Sequence, residues 1–358
     1  MTTRVVAFDL RSAAGNPTGV GRYLLSLAAA AASLPGVRVR AYTSGGDLQL
    51  PGDVEIVQVR RQGLRWHLAI WRHLRSQAVT AYVSTSLVVP SLPGVPALPV
   101  ILDASSFRVP QHQKRRTKLF EHALMGIVVR RHPLIFGTAA AGDDIADLFR
   151  GARGVVVPPW FPKQPLAPSG TSDSLAELGI AGPFFLMVGT VEPRKNVLMA
   201  ARVVARLRER GRDIRLVVVG RKGWVSRNEL AALESLTADG TAIWPGYVTD
   251  AERDALYART SALLLPSVYE GFGMPLIEAM AAGAPCCCSS IAVFEEVAGD
   301  AAITADPAKP DEWVEALDEL LVNPGLAAKL GQAGYVRAAT YSPERTAKAL
   351  ALALDQMR

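Results

Sequence analysis

Two glutamates eight positions apart, Glu270 and Glu278, bracket the turn Gly271-Phe272-Gly273 and are the side chains of this sequence best spaced to do chemistry together. The apolar run Ala262 to Leu265 before them is short enough for a buried strand. Pro275 suits a first helical turn, and Leu276, Ile277, Ala279, Met280 and Ala281 carry a helical pattern that Gly283 stops. A glycine turn between a strand end and a helix start leaves backbone N–H groups facing an anion, and the helix dipole adds to the attraction. Carboxylates repel a bare phosphate but accept hydrogen bonds from hydroxyls. A ligand that meets both features carries phosphates and a polyol, as a nucleotide sugar does. The plain alternative is a pair of solvated surface glutamates.

A second set of polar residues follows the expected strand Phe184 to Val188. There Gly189, Thr190, Val191, Glu192, Pro193, Arg194 and Lys195 form a loop into a helix that runs to Arg210. Arg194 offers a planar fork and Lys195 a mobile point charge, a combination suited to a diphosphate. The next strand, Ile214 to Val219, ends in Gly220. In the first half the strand Val5 to Phe8 leads through RSAAGNPTGVGRY to a helix over Leu24 to Leu34. Gly19 and Gly21 lie beyond the carboxyl end of that strand, where open α/β sheets gather ligands. GVG lacks the full dinucleotide fingerprint, and glycines kept for a tight turn would look the same.

The elements that must position these residues follow an α/β rhythm that occurs twice. A chain of 358 residues, 49 % hydrophobic, is long enough for two cores. Strands are expected at 37–42, 54–59, 79–84, 98–102, 134–138 and 155–157, with Asp143 as a helix N-cap. PPWFPKQPLAPSGTSDS, within 158–174, reads as a linker. The second half adds strands at 241–244 and 262–265, and Thr249 with Glu252 three later forms a capping box. Cys286 to Cys288 with the following SSIAVFEEVAGDAA gives another strand and a loop to a strand Ala301 to Thr304, and three helices end the chain. Strand-to-helix units in series predict two doubly wound parallel sheets, with domains at 1–165 and 166–342 and a last helix at 343–358.

Charge separates the halves. Residues 1–165 carry 20 Lys and Arg against 9 Asp and Glu, while the remainder carries 19 against 24, so the overall +6 hides a basic first half. The segment FRVPQHQKRRTKLFEHALMGIVVRRH reads as a basic amphipathic helix able to touch an anionic surface or acceptor, with a merely solvated face as the alternative. Its aromatic interleaving is thin for single-stranded nucleic acid, and no nucleic-acid partner is expected. The three cysteines are consecutive, which excludes a disulfide framework and suits a reducing compartment. No run has the length of a membrane span, and MTTRVVAFD leads straight into a strand rather than reading as a signal peptide. A cytoplasmic protein, peripheral to the inner face of the membrane if the basic half docks there, is expected.

The segments GTVEPRKN, LLLPSVYEGFGMPLIEAMAAGAP and PTGVGRY resemble family 4 of the retaining nucleotide-sugar glycosyltransferases, mannosyltransferase-like group 1, over nearly the whole chain. The resemblance implies the GT-B fold: two Rossmann-like domains facing a cleft, with the final helix crossing back to the first. It implies that Glu278 accepts from ribose hydroxyls and that Glu270 faces the donor sugar. Backbone N–H groups of Gly271, Phe272, Gly273 and Met274 would help hold sugar or phosphate. Arg194 and Lys195 would neutralise the leaving diphosphate, with Gly189, Thr190 and Gly220 beside them and Gly19 and Gly21 approaching from the first domain. Asp103 would complete the catalytic set. Neither a cofactor nor a metal is expected, since the two cations do the metal's work and no Asp-x-Asp cluster stands at a sheet edge.

One departure concerns the end of the fifth expected strand, where many relatives carry a His-Asp pair and this sequence reads Leu102, Asp103. A leucine cannot pair with a C6 hydroxyl. Leu102 is therefore a candidate wall of a C6 pocket suited to a 6-deoxy donor, beside the GDP-mannose-like donor that family precedent favours. A glycan or lipid-linked acceptor is expected. The other readings are a weakened GT-B subunit or nucleotide-sugar sensor, and a different two-domain α/β enzyme of phosphorylated sugars.

Overall fold

The computed structural model describes residues 3–357 apart from positions 16, 47, 49, 53, 162–171 and 226. The chain divides into two compact units, Met1–Phe161 with Tyr341–Arg358, and Pro162–Thr340. The expected boundary at 165 and most of the expected linker lie outside the described residues. The linker's last residues belong to a short helix, Ser172–Glu177.

In the first unit, β1 (Arg4–Asp9), β2 (Val37–Thr43), β3 (Val54–Gln58), β4 (Ala81–Ser84), β5 (Ala97–Ile101), β6 (Leu134–Phe136) and β7 (Gly154–Val156) form one sheet. Its order is β3-β2-β1-β4-β5-β6-β7, with every pair parallel. Val6, Ala7 and Phe8 are all fully buried, as a central strand covered on both faces requires. The helix Gly19–Ala32 begins five residues earlier than its apolar stripe suggests, because Thr18 caps it through Oγ1. Thr138, accepting from the Ala141 N–H at 3.1 Å, caps the helix Ala139–Leu148, so Asp143 lies inside that helix and is not its cap.

The last helix, Pro343–Asp355, belongs to this unit. Ser342 caps it, and Leu350, Ala353 and Leu354 are fully buried with Leu24 and Leu27 of the first helix. Thr346 Oγ1 donates to the Pro158 carbonyl at 2.8 Å, and Arg4 pairs with Asp355 at 2.9 Å.

In the second unit, β8 (Phe184–Val188), β9 (Arg215–Val219), β10 (Ala242–Gly246), β11 (Ala262–Leu265), β12 (Cys286–Ser289) and β13 (Ile303–Ala305) pair in parallel in the order β10-β9-β8-β11-β12-β13. The three cysteines are free and buried within β12, where burial pushes their thiols up. The expected loop between β12 and the next strand holds a helix, Ala292–Ala298, and the strand expected at 301–304 is β13, Ile303–Ala305. Val293, Phe294, Val297 and Ala298 are the buried residues of that helix, a spacing of one helical turn that the run of apolar residues masked.

Because Leu350 completes the core of the first unit from its carboxyl-terminal end, Leu350→Ala is expected to lower unfolding free energy by about 2–5 kcal/mol. Urea denaturation checks this, and an unchanged midpoint would contradict the packing described.

Candidate active site

The order of the second sheet reverses between β8 and β11, so the loops leaving their carboxyl ends run in different directions and open a crevice there. One loop carries Gly189 to Lys195 and the other Pro266 to Gly273. A small cleft at this point is lined by Gly189, Thr190, Lys195 and Leu265 among others. After β8 the chain makes a 3-10 turn, Pro193–Lys195, and passes through Asn196 in the left-handed region at φ 55° before the helix Val197–Glu209. Asparagine tolerates that conformation, and its amide is anchored by donating to the Pro307 carbonyl at 3.0 Å. The cations at the end of the turn are thereby held by backbone geometry.

Glu270 is not a solvated loop residue: it is 5 % exposed. Its carboxylate accepts from Arg194 Nη1 at 2.8 Å, from Ser267 Oγ at 2.9 Å and from Lys195 Nζ. Arg194 also donates to the Tyr269 carbonyl at 3.2 Å and pairs through Nε with Glu192 at 2.5 Å. Burial alone would raise the Glu270 pKa. The charges of Lys195 and Arg194, with hydrogen bonds from Lys195 and Ser267, outweigh it and hold the carboxyl down at about 2. Two cations and two carboxylates leave this cluster with no net charge, which sets a condition on any anion that enters.

Gly273 precedes the helix Met274–Ala281 at φ 81°, and a Cβ there would stand 2.5 Å from Phe294 Cε1. Only glycine meets both demands. Pro275 has no N–H to leave unpaired in the first turn, and the Leu276 N–H goes to the Gly273 carbonyl at 2.8 Å. Glu278, 8 % exposed, accepts from Tyr257 Oη at 2.8 Å and has Arg253 Nε at 4.0 Å.

Other expected residues serve packing in ways their spacing did not disclose. Gly220 lies at φ 146°, and a Cβ there would stand 1.9 Å from the Gly189 carbonyl oxygen, so it permits β8 and β9 to end in close contact. Its N–H is spent on the Gly246 carbonyl at 2.7 Å, and that of Gly189 on Val219 at 2.8 Å. In the first unit a Cβ at Gly21 would meet the Ser12 carbonyl oxygen at 2.0 Å, while its N–H faces Thr18 Oγ1 at 3.4 Å. Gly19 is exposed in the first turn of the same helix. Asp103 Oδ1 accepts from the Ser105 N–H at 2.9 Å and shapes the turn after β5. Leu102 lies one residue past that strand, partly buried against the unit's core.

Four contributors were given no role from sequence. Glu192 lies within the quoted GTVEPRKN, and Ser267 three residues before Glu270, but neither type announces a partner. Arg253 and Tyr257 could have been found, because the Thr249 capping box phases their helix and sets them one turn apart on one face. Among the described residues no group of three or more His, Cys, Asp or Glu side chains could hold a metal ion, and no helix is long and apolar enough to cross a membrane.

Residues 176–337 match the family model for glycosyl transferases group 1. The match lies within the second unit and covers most of it. In sequence the chain is 39 % identical over 126 residues to the O-antigen chain mannosyltransferase B of Escherichia coli, covering 35 % of this chain and 33 % of that protein. The chain spans between about a sixth and a third of the length of the first curated relatives it matches. In structure it is similar to a sucrose-phosphate synthase from Thermosynechococcus elongatus, with a TM-score of 0.79 at 16 % identity over 99 % of both chains. It is equally similar to Anabaena Alr3699/HepE in complex with UDP and glucose, with a TM-score of 0.79 at 16 % identity, covering 99 % of this chain and 100 % of that one. These likenesses show the fold, two Rossmann-like units of the GT-B kind.

In this second unit the Glu270 carboxyl is held down at about 2 when folded, against an ordinary value of 4.5. Its pairing therefore contributes stability that is fully present above about pH 4.5 and is lost as the pH falls through about 2, roughly 3 kcal/mol in all. Denaturation of the parent and of Glu270→Gln across that range should show a gap at neutral pH that closes in acid. A gap independent of pH would contradict the pairing.

Proposed function

We propose that this protein is a retaining glycosyltransferase that moves a hexosyl unit from a nucleoside diphosphate sugar, GDP-mannose or a close relative of it, to a hydroxyl of a glycan or lipid-linked acceptor. The observation that carries this reading is the buried Glu270 with Arg194 and Lys195 at the reversal of the β8 and β11 loops. The group 1 match over the same residues supports it, and the mannosyltransferases among the relatives favour mannose.

Transfer breaks the bond between C1 of the sugar and the diphosphate oxygen, and forms a bond from C1 to the acceptor oxygen on the same face. The acceptor's proton passes to the departing diphosphate. Charge grows on the leaving group as the bond lengthens, so cations already in place lower the barrier. A neutral cluster can supply them only by exchange. Lys195, on a flexible four-carbon stem, leaves Glu270 for the diphosphate, while Arg194 stays forked between Glu192, Tyr269 and Glu270. Glu270, released by Lys195, then accepts from sugar hydroxyls.

Lys195→Ala should lower turnover by about 10²-fold or more while leaving the fold intact. Release of nucleoside diphosphate from GDP-mannose, with and without acceptor, measures it. Turnover equal to the parent's would remove Lys195 from this role.

The basic first unit supports docking on an anionic membrane. On the helix Arg115–Arg131, Leu119 is 71 % and Ile127 38 % exposed, and with exposed Ala123 they form an outward stripe at helical spacing. Phe120 is 47 % exposed beside it, and Arg115 and Arg130 stand at its two ends. Binding to phosphatidylglycerol vesicles should fall steeply with salt and exceed binding to phosphatidylcholine vesicles. Equal binding to both would overturn the docking.

A further inference from the structure

The helix Asp250–Arg259 is phased by a reciprocal cap: Thr249 Oγ1 accepts from the Glu252 N–H at 3.2 Å, and the Glu252 carboxylate accepts from the Thr249 N–H at 2.6 Å. This start places Arg253 and Tyr257 one turn apart on the face that meets Glu278. Tyr257 is fully buried, and its hydroxyl donates to Glu278 Oε2 at 2.8 Å. Arg253 Nε stands 4.0 Å from the same oxygen, close enough for its charge but not for a hydrogen bond, while Nε and Nη2 donate to Asp254 at 3.1 and 2.7 Å and Nη1 donates to Asp250 at 2.5 Å. Desolvation works against the guanidinium's charge, but Glu278 and the two aspartates outweigh it, so the cation persists. A buried carboxylate that accepts from a fixed hydroxyl beside a fixed cation is restricted in its rotamers before any ligand arrives. It nevertheless keeps 9 % of its side-chain surface open, on the helix that the Glu270 loop leads into.

We propose that Tyr257 and Arg253 are positioning residues that fix Glu278 as the acceptor for vicinal ribose hydroxyls, and that they thereby set a preference for ribonucleotide over deoxyribonucleotide donors. The proposal rests on the nucleotide-sugar reading above and deepens it. A carboxylate free to rotate would accept from one hydroxyl nearly as well as from two. A fixed carboxylate loses a defined hydrogen bond when one hydroxyl is missing.

The test is calorimetric titration of the full chain with GDP and UDP, each compared with its 2′-deoxy counterpart. The parent should bind the preferred ribonucleotide about 10-fold more tightly than its 2′-deoxy form. Tyr257→Phe should shrink this ratio to about 2-fold, mainly through weaker binding of the ribonucleotide, at an apparent melting temperature near the parent's. Arg253→Gln should move the ratio the same way, which keeps the proposal open to test if Tyr257→Phe does not fold. In a Glu278→Gln background Tyr257→Phe should leave the ratio where Glu278→Gln has put it. A ratio in Tyr257→Phe equal to the parent's would overturn the positioning role, since a merely structural tie alters stability and not selectivity. If the parent binds nucleotide without ribose preference, this inference alone falls. If the parent binds none of the four nucleotides, the nucleotide-sugar reading falls and takes the inference with it.

Discussion

A carboxylate taken out of water must be compensated where it stands, and in this protein the compensation of Glu270 joins two loops that are seventy-five residues apart in sequence. Lys195 and Arg194 come from the end of β8, Glu270 and Ser267 from the end of β11. The two strands are neighbours only because the sheet order reverses between them. The ion cluster thus depends on the topology, and the loop conformations depend on the cluster. Left-handed Asn196 and Gly273 fix the entry to each following helix.

The neutrality of that cluster decides how an anion can use it. A site of unpaired cations would bind any phosphate. A cluster that sums to zero would give up Lys195 only to a ligand that also offers something to the carboxylate left behind. In the proposed reaction a sugar diphosphate would do both, its phosphates taking the lysine and its hydroxyls taking Glu270, whereas inorganic phosphate would offer only the first.

Much of this was legible in the sequence, and the reasons differ by residue. Strand β11 was readable to the residue, because Ala262 to Leu265 is apolar throughout and is closed by Pro266. The glycine turn after it was readable because Pro275 and Gly283 punctuate the helix. The helix Ala292–Ala298 was not, since an apolar run beside a cysteine strand hides its one-turn spacing. Gly21 and Gly220 drew attention as donor-site residues, yet each also permits a close backbone approach, to Ser12 and to Gly189, and sequence does not distinguish these two uses of a missing Cβ. The pairing of Glu270 with Lys195 was also out of reach: both were assigned to the site, but that they hold each other depends on sheet order.

The most direct test is a structure of this protein with an intact nucleoside diphosphate sugar bound. The account predicts a diphosphate oxygen within hydrogen-bond distance of Lys195 Nζ, the Lys195–Glu270 pair broken, and Arg194 still held by Glu192 and Glu270. A nucleotide bound elsewhere, with Lys195 still on Glu270, would contradict it.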